Sequence, residues 1–276
     1  MFRFFLKKNF CDLWDNMFHF VLINFFITLS IVGGLFLCYG IGKLNLDSSK
    51  LSLLTVAACL FILMLIHVLL FAQGKNEASI ANFETPHIKT FFKNILPSLK
   101  DGCLFGLFIG LLVAIGLVSL PYYFSIWLPT DGSQGKLWGL LLLSLSFWFL
   151  VITFLSLQWF LPVRSLMGNR FAKCLKKSYL LFFDNTGFTL LLALTNLLRL
   201  AVTVFTFGLV PGFNGICLAT TNALRLRLYK YDWLEVNPGL TRRQAKDVPW
   251  DQLLQKDKHT LGPRKFKSFL FPWKQD

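Results

Sequence analysis

The sequence predicts an all-α polytopic membrane bundle, with six transmembrane segments arranged as three parallel hairpin repeats. Three observations predict it. The 276-residue chain is 55% hydrophobic and only 15% charged, too little charge to cover a soluble domain of this size. Its apolar residues fall in blocks of about 20, the length that crosses ~30 Å of hydrocarbon. A ten-residue pattern, basic near its start and ending in Asp, stands at the mouth of three of those blocks.

The copies run Leu6, Lys7, Lys8, Phe10, Leu13, Asp15; then Phe92, Lys93, Asn94, Leu96, Leu99, Asp101; then Leu175, Lys176, Lys177, Tyr179, Phe182, Asp184. Each Asp is followed by Asn or Gly (Asn16, Gly102, Asn185) and then by a membrane-length stretch. In the second copy Ile88, Phe91, Phe92, Ile95, Leu96 and Leu99 recur at helical spacing, opposite Lys89, Lys93, Asn94, Ser98 and Lys100. Such a helix is expected to lie in the headgroup plane. Lys7, Lys8, Lys89, Lys93, Lys173, Lys176 and Lys177 would then meet anionic lipid headgroups. Pro97 is expected to kink that second surface helix. The closing Asp is expected to cap the following transmembrane helix and to offset the positive end of its dipole.

The predicted segments cover about 17–41, 51–72, 102–128, 137–160, 187–210 and 212–226. The last is short and follows Pro211, so it reads as either a kinked full span or a half-span. The first apolar stretch is too long for a cleaved signal peptide and reads as a retained helix. With six segments, 24 of the 28 Lys and Arg residues share the side of both termini, against 3 on the other. That asymmetry predicts that both termini are cytoplasmic. The expected division is a membrane domain, 1–229 (repeats about 1–85, 86–165 and 166–229), and a polar basic tail, 230–276. Trp233, Trp250, Phe269, Leu270, Phe271 and Trp273 are candidate anchors in that tail. The net charge of +14 follows from this topology and gives no reason to expect nucleic acid.

Few residues carry chemistry. Gly102, Gly106, Gly110 and Ala114 form a small-residue ridge at i, i+4, i+8 and i+12, suited to close contact with another helix of this chain or of a partner. Arg199 is the one formal charge deep in a segment, with Asn196 three residues earlier on the same face. It reads as a contact for an anionic substrate or lipid headgroup, or as a side chain that snorkels or hydrogen-bonds to facing carbonyls. His67, Gln158, Asn24 and Asn222 read as interhelical hydrogen-bonding groups; Arg199, Asn196, Gln158 and His67 together form the candidate intramembrane polar site. All fourteen acidic residues are read in loops, helix mouths or the tail, which argues against a proton-coupled pump. The six cysteines form no C-x-x-C pair and read as small hydrophobes. There is no H-E-x-x-H, G-x-S-x-G or P-loop, and no catalytic, cofactor or metal site is expected.

Three stretches resemble the YesL-like family of small bacterial membrane proteins. They are DLWDNMFHFVLINFFITLSIVGG, FFKNILPSLKDGCLFGLFIGLL and LPVRSLMGNRFAKCLKKSYLLFFDNTGFTLLLALTNLL, the last followed by a Pro-Gly break. The likeness covers about residues 10–232. Where the family usually has Thr-x-Gly-Pro near the end of the first span, this chain has SIVGGLFLCYGIG. The resemblance implies a bacterial inner-membrane protein, considered alongside carbohydrate uptake systems, and carries over no catalytic residue. Residues and resemblance together point to a non-enzymatic scaffold or accessory subunit that binds lipid and a protein partner. The ridge or the tail would supply the partner contact. The alternative is a permease subunit or a lipid or solute translocator built around Arg199. A polar cavity lined by the four candidate residues would favour that alternative, and a bundle packed solid with aromatics would favour the scaffold.

Overall fold

A computed structural model describes residues 1–130, 134–241 and 244–264; the anchors Phe269, Leu270, Phe271 and Trp273 lie outside them. Among the described residues there are helices and no strands. In order they are α1 (Phe2–Asp15), α2 (Met17–Gly42), α3 (Ser48–Ala81), α4 (Ile88–Trp127), α5 (Leu137–Leu157), α6 (Phe160–Met167), α7 (Phe171–Asp184), α8 (Thr186–Phe205), α9 (Gly212–Val236), α10 (Trp250–Leu253) and α11 (Gln255–Leu261). Five stretches are long and apolar enough to cross a membrane: α2, α3, α4, Leu137–Met167 and α8. The expected sixth, α9, is not among them.

α3 and α4 form the longest seam of the bundle. A Cβ on Gly102 would lie 2.6 Å from Val68 Cα, and one on Gly106 would lie 2.7 Å from Met64 Cα. On Gly110 it would lie 2.6 Å from Leu60 Cδ2. The ridge is therefore occupied by α3 of the same chain. It ends at Gly110, because Ala114, expected as its fourth member, is exposed.

The helix mouths differ from expectation. α4 is one helix of 40 residues, ~60 Å at 1.5 Å per residue, and runs on through Pro97 and Asp101. No corner separates a surface helix from a span there, because Gly102 lets the helix continue flush against α3. In the other two copies the break falls on the Asn. Asn16 and Asn185 donate to the carbonyls of Asp12 (2.8 Å) and Leu181 (3.2 Å), closing the preceding helix. None of the three Asp residues caps a helix. Each meets a cation instead: Asp15 with Arg264 (2.5 Å), Asp101 with Arg164 (2.5 Å) and Asp184 with Lys230 (2.8 Å).

α1 is built into the protein, not laid on a surface: Phe5, Lys8, Asn9, Cys11 and Asp12 are all buried. The proposed boundary at residue 230 falls inside α9, and the one at 165 inside α6. The chain beyond α9 is docked, with Leu254 and Leu261 buried and Lys7 Nζ donating to the Gly262 carbonyl at 3.2 Å. The first helix and the end of the described chain thus share one side of the molecule.

A candidate polar chamber between α3, α5, α8 and α9

The α8–α9 turn sets the geometry. Asn24 Nδ2 donates to the carbonyls of Leu209 and Pro211, both at 2.9 Å, and Asn24 Oδ1 accepts from the Asn214 N–H at 3.2 Å. Gly212 has φ +68° and lies directly against the Asn24 amide, so a side chain there is excluded twice over. Asn24 is the eighth of the 26 residues of α2. The turn therefore meets α2 within its first third. From there α9 runs through the middle of the protein, with Asn214, Leu218, Thr221 and Asn222 fully buried.

Between these elements, with Phe105 of α4 and Leu161 of α6, lies a half-open pocket of about 190 Å³ whose wall is mostly apolar. Its polar lining is His67, Gln158, Asn196, Cys217 and Thr220, set among apolar side chains that include Phe71 and Phe105. Three of the four residues in the predicted polar site thus line one space. His67 Nδ1 is 2.7 Å from the Leu63 carbonyl, so Nδ1 carries the hydrogen and Nε2 is left as an acceptor in the neutral ring. Gln158 Nε2 donates to the carbonyls of Leu155 (2.9 Å) and Thr189 (3.2 Å), bracing α5 against α8.

Arg199 lies behind the cavity wall. Its Nη1 donates to Asn196 Oδ1 at 2.9 Å and to Thr195 Oγ1 at 3.1 Å. With the Asn9 amide turned to present its oxygen, Nη2 and Nε reach it at 2.6 and 3.3 Å. Among the described residues no carboxylate pairs with Arg199; neutral oxygens from α1 and α8 hold it.

A second cluster adjoins it. The buried Lys8 ammonium lies 2.8 Å from Asp12 Oδ2 and 3.7 Å from the centre of the Phe83 ring. Asn222 Nδ2 donates to the same Asp12 oxygen at 2.8 Å and lies 3.3 Å from Asn9. Burial draws both members toward their neutral forms, Lys8 down and Asp12 up; their mutual attraction and hydrogen bond oppose this. Lys8, expected at a lipid headgroup, is instead an interior ion pair. Nearby, Arg225 forms an ion pair with the buried Asp257 of α11 and donates to Asn82 Oδ1 (2.9 Å) and Tyr229 Oη (3.0 Å). Of the other lysines assigned to headgroups, Lys89, Lys93, Lys173 and Lys176 are exposed, while Lys7 and Lys177 are half-buried.

Sequence reasoning missed Glu77, Asn9 and Asp12. Glu77 is 0% exposed, and neither carboxylate oxygen has a hydrogen-bond partner. This corrects the placing of every acidic residue in a loop, helix mouth or tail. A signal was present: Gln73, Asn76 and Glu77 continue, at i, i+3 and i+4, the face of α3 that buries Leu69 and Ile80.

No protein-family model, no curated protein and no solved structure matches this chain.

Proposed function

We propose that this chain is a non-enzymatic membrane protein that binds and passes a small polar solute, as a translocator or permease subunit. One observation carries the reading: His67, Gln158 and Asn196, more than 90 residues apart in part, converge on one cavity whose back wall is tied by Arg199. At ~30 Å³ per water, the space holds about six waters or one small molecule. Amide and imidazole groups on an otherwise apolar wall suit an uncharged, hydrogen-bonding solute. In this proposal the chain sits in a bacterial inner membrane as three parallel hairpin units. Both termini are cytoplasmic, α9 returns as a partial span, and the exposed lysines meet headgroups. The likeness to YesL-like proteins belongs to the same proposal.

The accessory-subunit reading is supported by a different observation, the docking of α11 on α9 through Asp257 and Arg225. It builds a cytoplasmic platform from which the basic tail continues. With the glycine ridge taken up by α3, the platform is the better partner surface. Gentle detergent purification followed by native mass spectrometry separates the two readings. A lone chain with a bound small solute, lost in His67→Leu and Asn196→Leu, supports the translocator. A stoichiometric protein partner with an empty chamber supports the subunit.

A further inference from the structure

We propose that Glu77 is a proton-binding site at the seam between α3 and α9, held as a neutral acid while the seam is closed. An ionised carboxylate in a protein interior needs a counter-charge or several donors. Glu77 has neither among the described residues: its two oxygens are unpartnered and it forms no ion pair. On α9 the neighbours of the carboxylate are Cys217 and Thr221; the Thr221 hydroxyl is near enough to donate to Glu77, but its hydrogen is directed to the Cys217 carbonyl at 2.9 Å, which leaves the carboxylate without it.

The charged and titratable groups on the elements around α3 are engaged elsewhere. His19 of α2 bonds Gln73, Arg164 of α6 pairs with Asp101, and Arg225 of α9 pairs with Asp257. Lys89 and Lys93 of α4 are exposed. A proton taken from cytoplasmic water, turning the carboxylate into the acid, is the smallest species that neutralises the group. One turn further along the same α9 face is Asn214, fully buried, with both side-chain polar atoms also unpartnered. The seam thus holds two polar side chains ready to be hydrated when α9 moves away, and at that point Glu77 releases its proton. Cys217 faces Glu77 and also lines the chamber, so the same motion would alter both. That coupling rests on the translocator reading; proton binding does not.

The test is infrared difference spectroscopy of the full chain in detergent at neutral pH, wild type against Glu77→Gln. The expected result is a protonated-carboxyl C=O band in the wild type, absent in Glu77→Gln, with an unchanged thermal midpoint. The band should be indifferent to replacing sodium and potassium with choline. No band lost on substitution, or a wild-type midpoint that depends on sodium or potassium and ceases to in the variant, would overturn the proposal. If Glu77→Gln does not accumulate, Glu77→Asp replaces it, and the band must shift. A proton at Glu77 with no solute in the chamber would uphold the site and remove only its coupling role.

Discussion

Toward the end of α3 that begins at Ser48, contacts are made by small residues: Gly34 of α2 lies against Ile62, and Gly106 and Gly110 of α4 lie against Met64 and Leu60. Toward the other end, α3 buries Gln73, Asn76 and Glu77 against α2, α4 and α9. The first region is held by close backbone approach, the means left when lipid is as apolar as the side chains. The second is held by hydrogen bonds and ion pairs that need the additional layer of α1, α8 and α9 to enclose them. Removing one group should therefore cost most where charge is enclosed and least where a side chain faces lipid.

The largest effect is expected at Asp12. Asp12→Ala leaves the Lys8 ammonium buried and unpaired and should lower stability by about 3–5 kcal/mol. Lys8→Met combined with Asp12→Leu should recover most of that loss. Thermal unfolding in detergent, or loss of accumulation in the membrane, reads both; equal loss in the single and double variants would show that the pair is not enclosed.

Next come the glycines. Gly106→Leu drives a side chain into the Met64 backbone and should cost at least ~1–3 kcal/mol. Gly110→Leu meets the movable end of Leu60 and should cost less, and Ala114→Leu should cost nothing measurable. Equal tolerance at all three positions would remove α3 as the ridge's partner.

Asn24→Ala strands the carbonyls of Leu209 and Pro211, at about 1–3 kcal/mol for each group left buried without a partner. Faster proteolysis near 206–211 would register it, and unchanged protection would mean that the turn is held by something else.

The smallest effect depends on pH. Burial alone would raise the Asp184 carboxyl, but hydrogen bonds from Lys230 and Tyr231 more than offset this and hold it below the ordinary range. A depressed carboxyl stabilises the fold above its unfolded value, near pH ~4. That stability is lost as pH falls through the lower folded value. Asp184→Asn should flatten the acid limb of the stability profile, and by little, since the Asp184 side chain is 48% exposed.

What could be read from residues alone divides along the same line. Helical class and five membrane-length helices follow from hydropathy blocks, which composition fixes locally. The glycine ridge was legible because its spacing lies within one helix; its partner was not, because that is a tertiary choice. Arg199 with Asn196 was legible as an i, i+3 pair, and His67 and Gln158 as lone polar groups in apolar runs. Lys8, Asp12 and Glu77 were misread because a charged residue at a helix mouth looks solvated until another helix covers it. Here α9, the least apolar of the long helices, does the covering, and its burial is the feature that no local pattern announced. The repeated Asp residues were read as caps for the same reason: their partners Arg264, Arg164 and Lys230 lie 46 or more residues away.

The most direct test of the proposed orientation, with the polar region around α9 toward the cytoplasm, asks how deep the α8–α9 turn lies. In a cysteine-free background, Gln134→Cys in the α4–α5 loop and Phe207→Cys in the α8–α9 turn would be exposed to a membrane-impermeant maleimide on intact cells. The expected result is labelling at position 134 and none at position 207 until the cells are opened. Equal labelling of both from outside would make α9 a full span reaching the far face, and would contradict the placing of the chamber.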